Sequence, residues 1–205
     1  MPADRRRLRR RPFEVAAAQA GYFTAAQAKS VGYSYQAQAH HVDAGNWQRF
    51  ARGIFRLAEY VPEPHADLVL WSLWSRHRAV VSHESALSVH SIGEFESPRV
   101  HLTVPPGFSM RDPAVVLHQR ELPQVDVVGH AGFRVTTVIR SLIDVAGAGA
   151  DDDQLARAIG EARDEGMLTL RQLRSRATKV DERATSQIER AIRLFAPAGV
   201  ETSPK

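Results

Sequence analysis

Few residues of this chain are placed to do chemistry together. Ser82, His83 and Glu84 are consecutive. A nucleophile, its base and the acid that orients the base instead converge from separate segments. There is no Gly-x-Ser-x-Gly turn, and the glycines of residues 129–149 lack the spacing and the lysine of a phosphate loop. His40 and His41 are neighbours; on a helix they diverge by about 100°, which keeps them from sharing a metal. No two histidines stand four apart with a glutamate between them, and the sequence leaves open whether His90 and His101 meet. Asp144, Asp151, Asp152, Asp153, Asp164 and Glu165 could ring a cation, but helix capping and solvent exposure account for them more simply. With no cysteine, a thiol nucleophile, a thiolate zinc site, an iron–sulfur cluster and a disulfide framework are excluded. The expectation is a protein that is not an enzyme and takes no cofactor and no metal.

The charges point to binding instead. Residues 1–60 hold ten Lys and Arg against four Asp and Glu, whereas residues 61–205 hold seventeen against nineteen. Six arginines, Arg5, Arg6, Arg7, Arg9, Arg10 and Arg11, crowd into one stretch. Such a block repels itself, stays extended and suits a polyanion, although a solubilising tail would look the same. Leu8 is the one apolar residue among them, a poor membrane anchor. No apolar run approaches the ~20 residues that span a bilayer, and no apolar stretch follows the basic start as in a signal peptide. These features lead to an expected cytoplasmic location.

The elements that must position these residues come in two groups. Pro12–Ala20 reads as a helix ended by Gly21. Thr24 with Gln27 forms a capping box opening Ala25–Val31, and Gly32 stops it. Ser34 caps Tyr35–Ala44, which Gly45 ends. Trp47–Phe50 and Ile54–Tyr60 are aromatic and branched, as strands prefer. Three short helices and a hairpin are the order of a winged helix-turn-helix, in which the third helix enters the major groove. Ala37, His41, Val42 and Ala44 fall on its core face; Tyr35, Gln36, Ala39, His40 and Asp43 point outward. Gln36 can bond an adenine edge, while Ser34, Tyr35 and His40 can reach phosphate or base. Arg49 and Arg52 lie on the wing, and the arginine arm can enter a minor groove. A winged helix that binds only protein is the competing reading.

Val61-Pro62-Glu63-Pro64 breaks the pattern and predicts a domain boundary. A helix from His65 to Arg78 follows, its Trp71 and Trp74 read as core. Ser82, with Ser85 at N3, suits the cap of a short helix to about His90. Strands are expected at Val100–Val104, Val115–His118, Val125–Val128 and Phe133–Val135. Helices are expected at Val138–Ala146 after Thr136 or Thr137, from Asp151 to Glu165, from Leu170 to Ala177 behind Thr169, and at Arg183–Phe195. The predicted fold is α+β: a winged helix-turn-helix, then a mixed domain with a small sheet and terminal helices. The expected divisions are a basic arm at 1–11, the winged helix at 12–62, the second domain at 63–195 and a tail at 196–205. Residues 141–166 hold seven acids against two arginines. Residues 167–193 hold Arg171, Arg174, Arg176, Lys179, Arg183, Arg190 and Arg193 against three acids. Either these helices pair with each other, or the basic ones form a patch for an acidic protein or a nucleic acid.

Several stretches are similar to the AbiEi family, the antitoxins of type IV toxin–antitoxin systems. In the front half these are His41-Val42-Asp43-Ala44-Gly45 and Trp47-Gln48-Arg49-Phe50-Ala51-Arg52-Gly53-Ile54-Phe55-Arg56-Leu57. In the back half they are Ser82-His83-Glu84-Ser85-Ala86-Leu87, Pro98-Arg99-Val100-His101-Leu102-Thr103-Val104-Pro105, and the Thr-x-x-Arg-x-x-x-Asp pattern within residues 135–146. The resemblance runs from about residue 12 to 195. It implies a winged helix that binds inverted repeats in its own operon's promoter and represses it, through Tyr35, Gln36, His40, Arg49 and Arg52. It also implies a second domain that neutralises a nucleotidyltransferase-like toxin, for which the basic helix residues above are the candidate contacts. Some relatives end in a nuclease-like domain, which is not expected here. The arginine arm is not part of the family pattern. The partners expected are therefore double-stranded promoter DNA and a toxin, with self-association left open and no membrane. The alternative is a stand-alone regulator whose second domain senses a ligand or dimerises.

Overall fold

The computed structural model describes residues 14–61 and 63–195. The Arg5–Arg11 arm, the expected helix start at Pro12, Pro62 of the expected boundary and the tail from residue 196 lie outside them. The chain divides into two compact units, Met1–Ala79 with Gly129–Arg134, and Val80–Val128 with Val135–Lys205.

In the first unit, residues 14–17 are helical (α1). They are followed by β1 (Tyr22–Thr24), α2 (Ala25–Ser30), α3 (Tyr35–Asp43), β2 (Trp47–Ala51) and β3 (Ile54–Leu57). The expected capping box is present: Thr24 Oγ1 accepts from Gln27 N at 3.1 Å, and Gln27 Oε1 accepts from Thr24 N at 2.7 Å. Ser34 Oγ accepts from Ala37 N, fixing the start of α3. β2 and β3 form the hairpin, with Gly53 at φ +71° in its turn, a conformation that a side chain disfavours. A bulge between Arg49 and Ala51 twists the wing. The sheet has a third member that the sequence reading took only for the approach to a cap. β1 pairs antiparallel with β3, giving the order β1-β3-β2. Its three residues are too few to show an alternation, but Tyr22 and Phe23 are buried by pairing there. Phe23, Trp47, Phe55 and Leu57 pack with Ala16 and Ala28 into the core of this unit.

Helix α4 (Ala66–Trp74) belongs with these elements because it packs on β1 and β3. The division into units thus falls after Ala79, not at the Pro-rich stretch. Beyond that stretch, Leu68, Val69, Trp71 and Leu73 still need apolar cover and are buried. Arg76 and His77 take positive φ and end α4 before the expected Arg78.

The second unit combines a five-stranded sheet with a helical layer. The strands of that sheet are β4 (Val80–Val81), β5 (Val100–Val104), β6 (Val115–Gln119), β7 (Val127–His130) and β8 (Phe133–Thr136), in the order β6-β5-β4-β8-β7, with the facing ends of β7 and β8 within Gly129–Arg134 counted in the first unit. β4 runs antiparallel to β5 and parallel to β8, while β5 and β6 are parallel. The expected strand from Val125 opens as a 3-10 turn at Gln124–Asp126. Helices α5 (His83–Val89), α6 (Val138–Ala148), α7 (Asp152–Asp164), α8 (Leu170–Val180) and α9 (Glu182–Phe195) complete the unit. Thr137, Asp151 and Thr169 cap α6, α7 and α8 through their side chains. Leu142, Leu155, Ile159, Leu173 and Ile188 form the core among these helices. Fully buried Ala158, Ala162, Ala184 and Ala191 let the helices approach closely.

Candidate functional site

The outward face of α3 carries the residues the sequence singled out for DNA. Tyr35 is 64% exposed, and Gln36, Ala39, His40 and Asp43 are also exposed. No acid stands in the first turn of α3, so its positive dipole end meets an incoming anion unopposed. Lys29, at the end of α2, places its ammonium 5.2 Å from the centre of the Tyr35 ring. The sequence reading passed over that cation, because only the α2–α3 turn brings it to the start of the recognition helix. The core face departs from expectation in two places. Ala44 is exposed, since the helix stops at Asp43. Gln38, not foreseen, is buried, and its side-chain amide nitrogen Nε2 donates to the carbonyls of Ala25 and Tyr33, both at 3.0 Å. It thereby ties α3 to α2 and to the turn between them. His41 stacks on Trp47 with ring centres 4.8 Å apart.

On the wing, Arg49 and Arg52 are exposed. The Arg49 guanidinium lies 5.2 Å from the Phe55 ring centre, which holds its stem against the sheet. Arg56, which the sequence reading did not select, lies 4.6 Å from the Phe50 ring centre and donates to Gln48 Oε1 at 3.1 Å. Phe50 is 42% exposed, so the wing offers an aromatic and cationic surface together.

The second unit holds a polar cluster whose members lie on three elements. His101 and Thr103 alternate onto one face of β5, and His118 of β6 is in register with Thr103. His83, at the start of α5 with φ +54°, stacks on His118 with ring centres 3.6 Å apart. His118 Nε2 lies 3.2 Å from His101 Nδ1, and Glu84 Oε2 lies 2.8 Å from the same nitrogen. That last approach does not have hydrogen-bond geometry, and Glu84 Oε2 is buried without a hydrogen-bond partner among the described residues. Ser82 does not cap α5 through its side chain as expected. Its Oγ accepts from Thr103 Oγ1 at 2.9 Å and meets His83 Nδ1 at 3.0 Å, while Ser85 Oγ accepts from His101 N. Burial pushes His83 down to about 3 and His118 down to about 4, so both rings are neutral at pH 7. Burial pushes Glu84 up, but its contact with His101 outweighs this and holds the carboxyl below its usual range. Glu84 therefore faces His101 and not His83, and the consecutive Ser-His-Glu is no triad. His90 does not meet His101; its Nε2 contacts Thr136 O at 2.7 Å.

Beside this cluster runs an ionic network. Arg140, 2% exposed, donates from Nε to Asp144 Oδ1 at 2.9 Å and from NH1 to Asp126 Oδ2 at 2.8 Å. Asp126 also accepts two hydrogen bonds from Arg176. A cavity of about 260 Å³ is lined by His83, Thr103, His118, Arg120, Arg140 and Asp144, among others. The acids that could ring a cation are spread out: Asp151 caps α7, Asp152 pairs with Arg190 and Asp164 with Arg163. Of the basic residues on the last helices, Arg174 pairs with Glu189, Arg176 with Asp126 and Arg190 with Asp152. Much of the charge asymmetry is thus met inside the unit. Arg171, Lys179, Arg183 and Arg193 are exposed.

Helix-turn-helix, three-stranded sheet and protruding hairpin define the first unit as a winged helix-turn-helix module within an α+β chain. Residues 10–58 match the model of a family described as transcriptional regulator, AbiEi antitoxin. That stretch covers α1 through β3, so the resemblance read in the sequence holds for the winged helix. No curated protein matches the chain. Among solved structures, the crystal structure of the RV2827C protein from Mycobacterium tuberculosis is similar, with a TM-score of 0.59 and 13% identity. The similarity covers 96% of this chain and 83% of that one, and at this identity it speaks for the fold alone. Among the described residues no helix is long and apolar enough to cross a membrane.

Proposed function

We propose that the protein is a DNA-binding antitoxin that represses its own toxin–antitoxin operon. The observation that carries this reading is the exposed start of α3, with Tyr35, Gln36 and His40 presented by a unit that matches AbiEi antitoxin regulators. Gln36 reads a base edge, most naturally adenine through a bidentate pair. Ser34, Tyr35, His40 and the wing residues Arg49 and Arg52 hold phosphates and set the register. The arginines at Arg5, Arg6, Arg7, Arg9, Arg10 and Arg11 add contacts to a neighbouring groove. The target is inverted repeats in the promoter.

The second unit neutralises a cognate nucleotidyltransferase-like toxin. Its exposed Arg171, Lys179, Arg183 and Arg193 are the first contacts to consider, because Arg174, Arg176 and Arg190 already have acidic partners. The test is a titration of the full chain against the promoter fragment of its own operon and against scrambled DNA, at two salt concentrations. Tighter binding to the promoter, weakening steeply with salt, is expected. Equal binding to both fragments at both salts would contradict the repressor reading.

A further inference from the structure

We propose that His83, His101 and His118 form a binding site for one divalent transition-metal ion of the zinc class. This does not rest on the DNA-binding reading, since all three residues belong to the second unit. One potential ligand atom from each of the three histidines lies within 4.8 Å of the others. His118 Nε2 and His101 Nδ1 are 3.2 Å apart. Two nitrogens bound tetrahedrally to zinc at about 2.0–2.1 Å lie about 3.3 Å apart, so this pair already has the edge of a coordination tetrahedron. Closing the rest needs a contraction of at most about 1.5 Å, within reach of side-chain torsions.

Hydrogen-bond accounting favours a cation at the same point. His101 Nδ1 faces two polar atoms, Glu84 Oε2 at 2.8 Å and His118 Nε2 at 3.2 Å. One N–H can serve only one of them, and Glu84 Oε2 is the atom left buried without a hydrogen bond. A bound cation would take both imidazole nitrogens at once and place a positive charge beside the buried carboxylate. Outer contacts also fit. Ser82 Oγ lies 3.0 Å from His83 Nδ1, and in the tautomer in which it accepts the Nδ1 proton, Nε2 of that ring is free to ligate. His83 holds its position at a positive φ, a backbone conformation a non-glycine residue adopts at a cost. Three imidazoles, without thiolate, suit zinc, copper, nickel or iron over magnesium or calcium. The cavity that His83 and His118 line gives the ion a way in.

The experiment uses the full chain, stripped with a chelator and then titrated with Zn²⁺ by calorimetry and with Co²⁺ by visible absorption. Expected are one ion per chain, Co²⁺ bands of a four- or five-coordinate site, and a Tm raised by roughly 5–10 °C at free Zn²⁺ one hundred times Kd. His101→Ala and His118→Ala should each weaken binding at least tenfold, while His130→Ala, at an exposed histidine of the other unit, should not. Far-UV circular dichroism of the metal-free variants checks their fold, and the Co²⁺ spectrum of the unaltered protein reads the site without any substitution. Absence of stoichiometric uptake, Co²⁺ bands of six-coordinate aquo type, or uptake unchanged by both substitutions would overturn the proposal.

Discussion

Asp144 carries a buried carboxyl with one oxygen satisfied by Arg140 and the other, Oδ2, without a hydrogen bond among the described residues. Burial pushes it up from 3.8 to about 6, against the pull of Arg140. The native state therefore binds this proton more tightly than the unfolded chain does. Below pH ~4 both states hold it; between pH ~4 and ~6 only the native state does, so stability from this group falls as pH rises through that window. Above it the ionised carboxylate remains a net cost of about 2–3 kcal/mol. Asp144→Asn should remove that slope, read from urea unfolding of both proteins across pH 4–7 with chelator present. Identical pH dependence of the two would contradict it. At the same scale, Gln38 shows why residue identity misleads. A glutamine on an exposed-looking helix reads as polar surface, yet two backbone carbonyls elsewhere in the fold draw it inside. Those carbonyls belong to Ala25 and Tyr33, and nothing local to Gln38 announces them.

Among the elements, local signals and long-range pairings part company. Caps at Thr24, Ser34, Thr137, Asp151 and Thr169 were legible because a cap is written within four residues. The strand β1 was not, because its pairing with β3 depends on residues some thirty positions away. The histidine cluster was missed for the same reason: His83, His101 and His118 meet through the parallel register of β5 and β6 and the start of α5, and their spacing matches no local motif. Elements are also joined by charge. Asp126, at the 3-10 turn, accepts from Arg140 of α6 and from Arg176 of α8. Asp126→Ala should cost about 3–5 kcal/mol, because it leaves a buried Arg140 short of a partner and cuts the tie to α8. Chemical denaturation measures this directly, and a loss under about 1 kcal/mol would mean that Asp144 alone holds Arg140.

For the whole molecule, the sequence made the α+β class and the winged front legible, since the helices carry their own caps and the wing its own aromatics. Where one compact unit ends was not legible. Val61-Pro62-Glu63-Pro64 looks like a linker, but apolar α4 continues to cover β1 and β3, and the units part after Ala79. Charge also reads differently at this scale. The acidic and basic stretches of the last helices meet in part through Asp152–Arg190, while the positive excess lies in the first third of the chain. That excess and the exposed start of α3 give the molecule its proposed partner, DNA.

The most direct measurement compares the unaltered protein with Gln36→Ala on the operon's promoter and on scrambled DNA at one fixed salt concentration. Gln36 is exposed on α3, so its loss should leave the fold intact. The expected result is a loss of about 1–3 kcal/mol on the promoter and almost none on scrambled DNA, the pattern of a base-edge contact. Equal losses on both, or none on either, would contradict sequence reading by the α3 face.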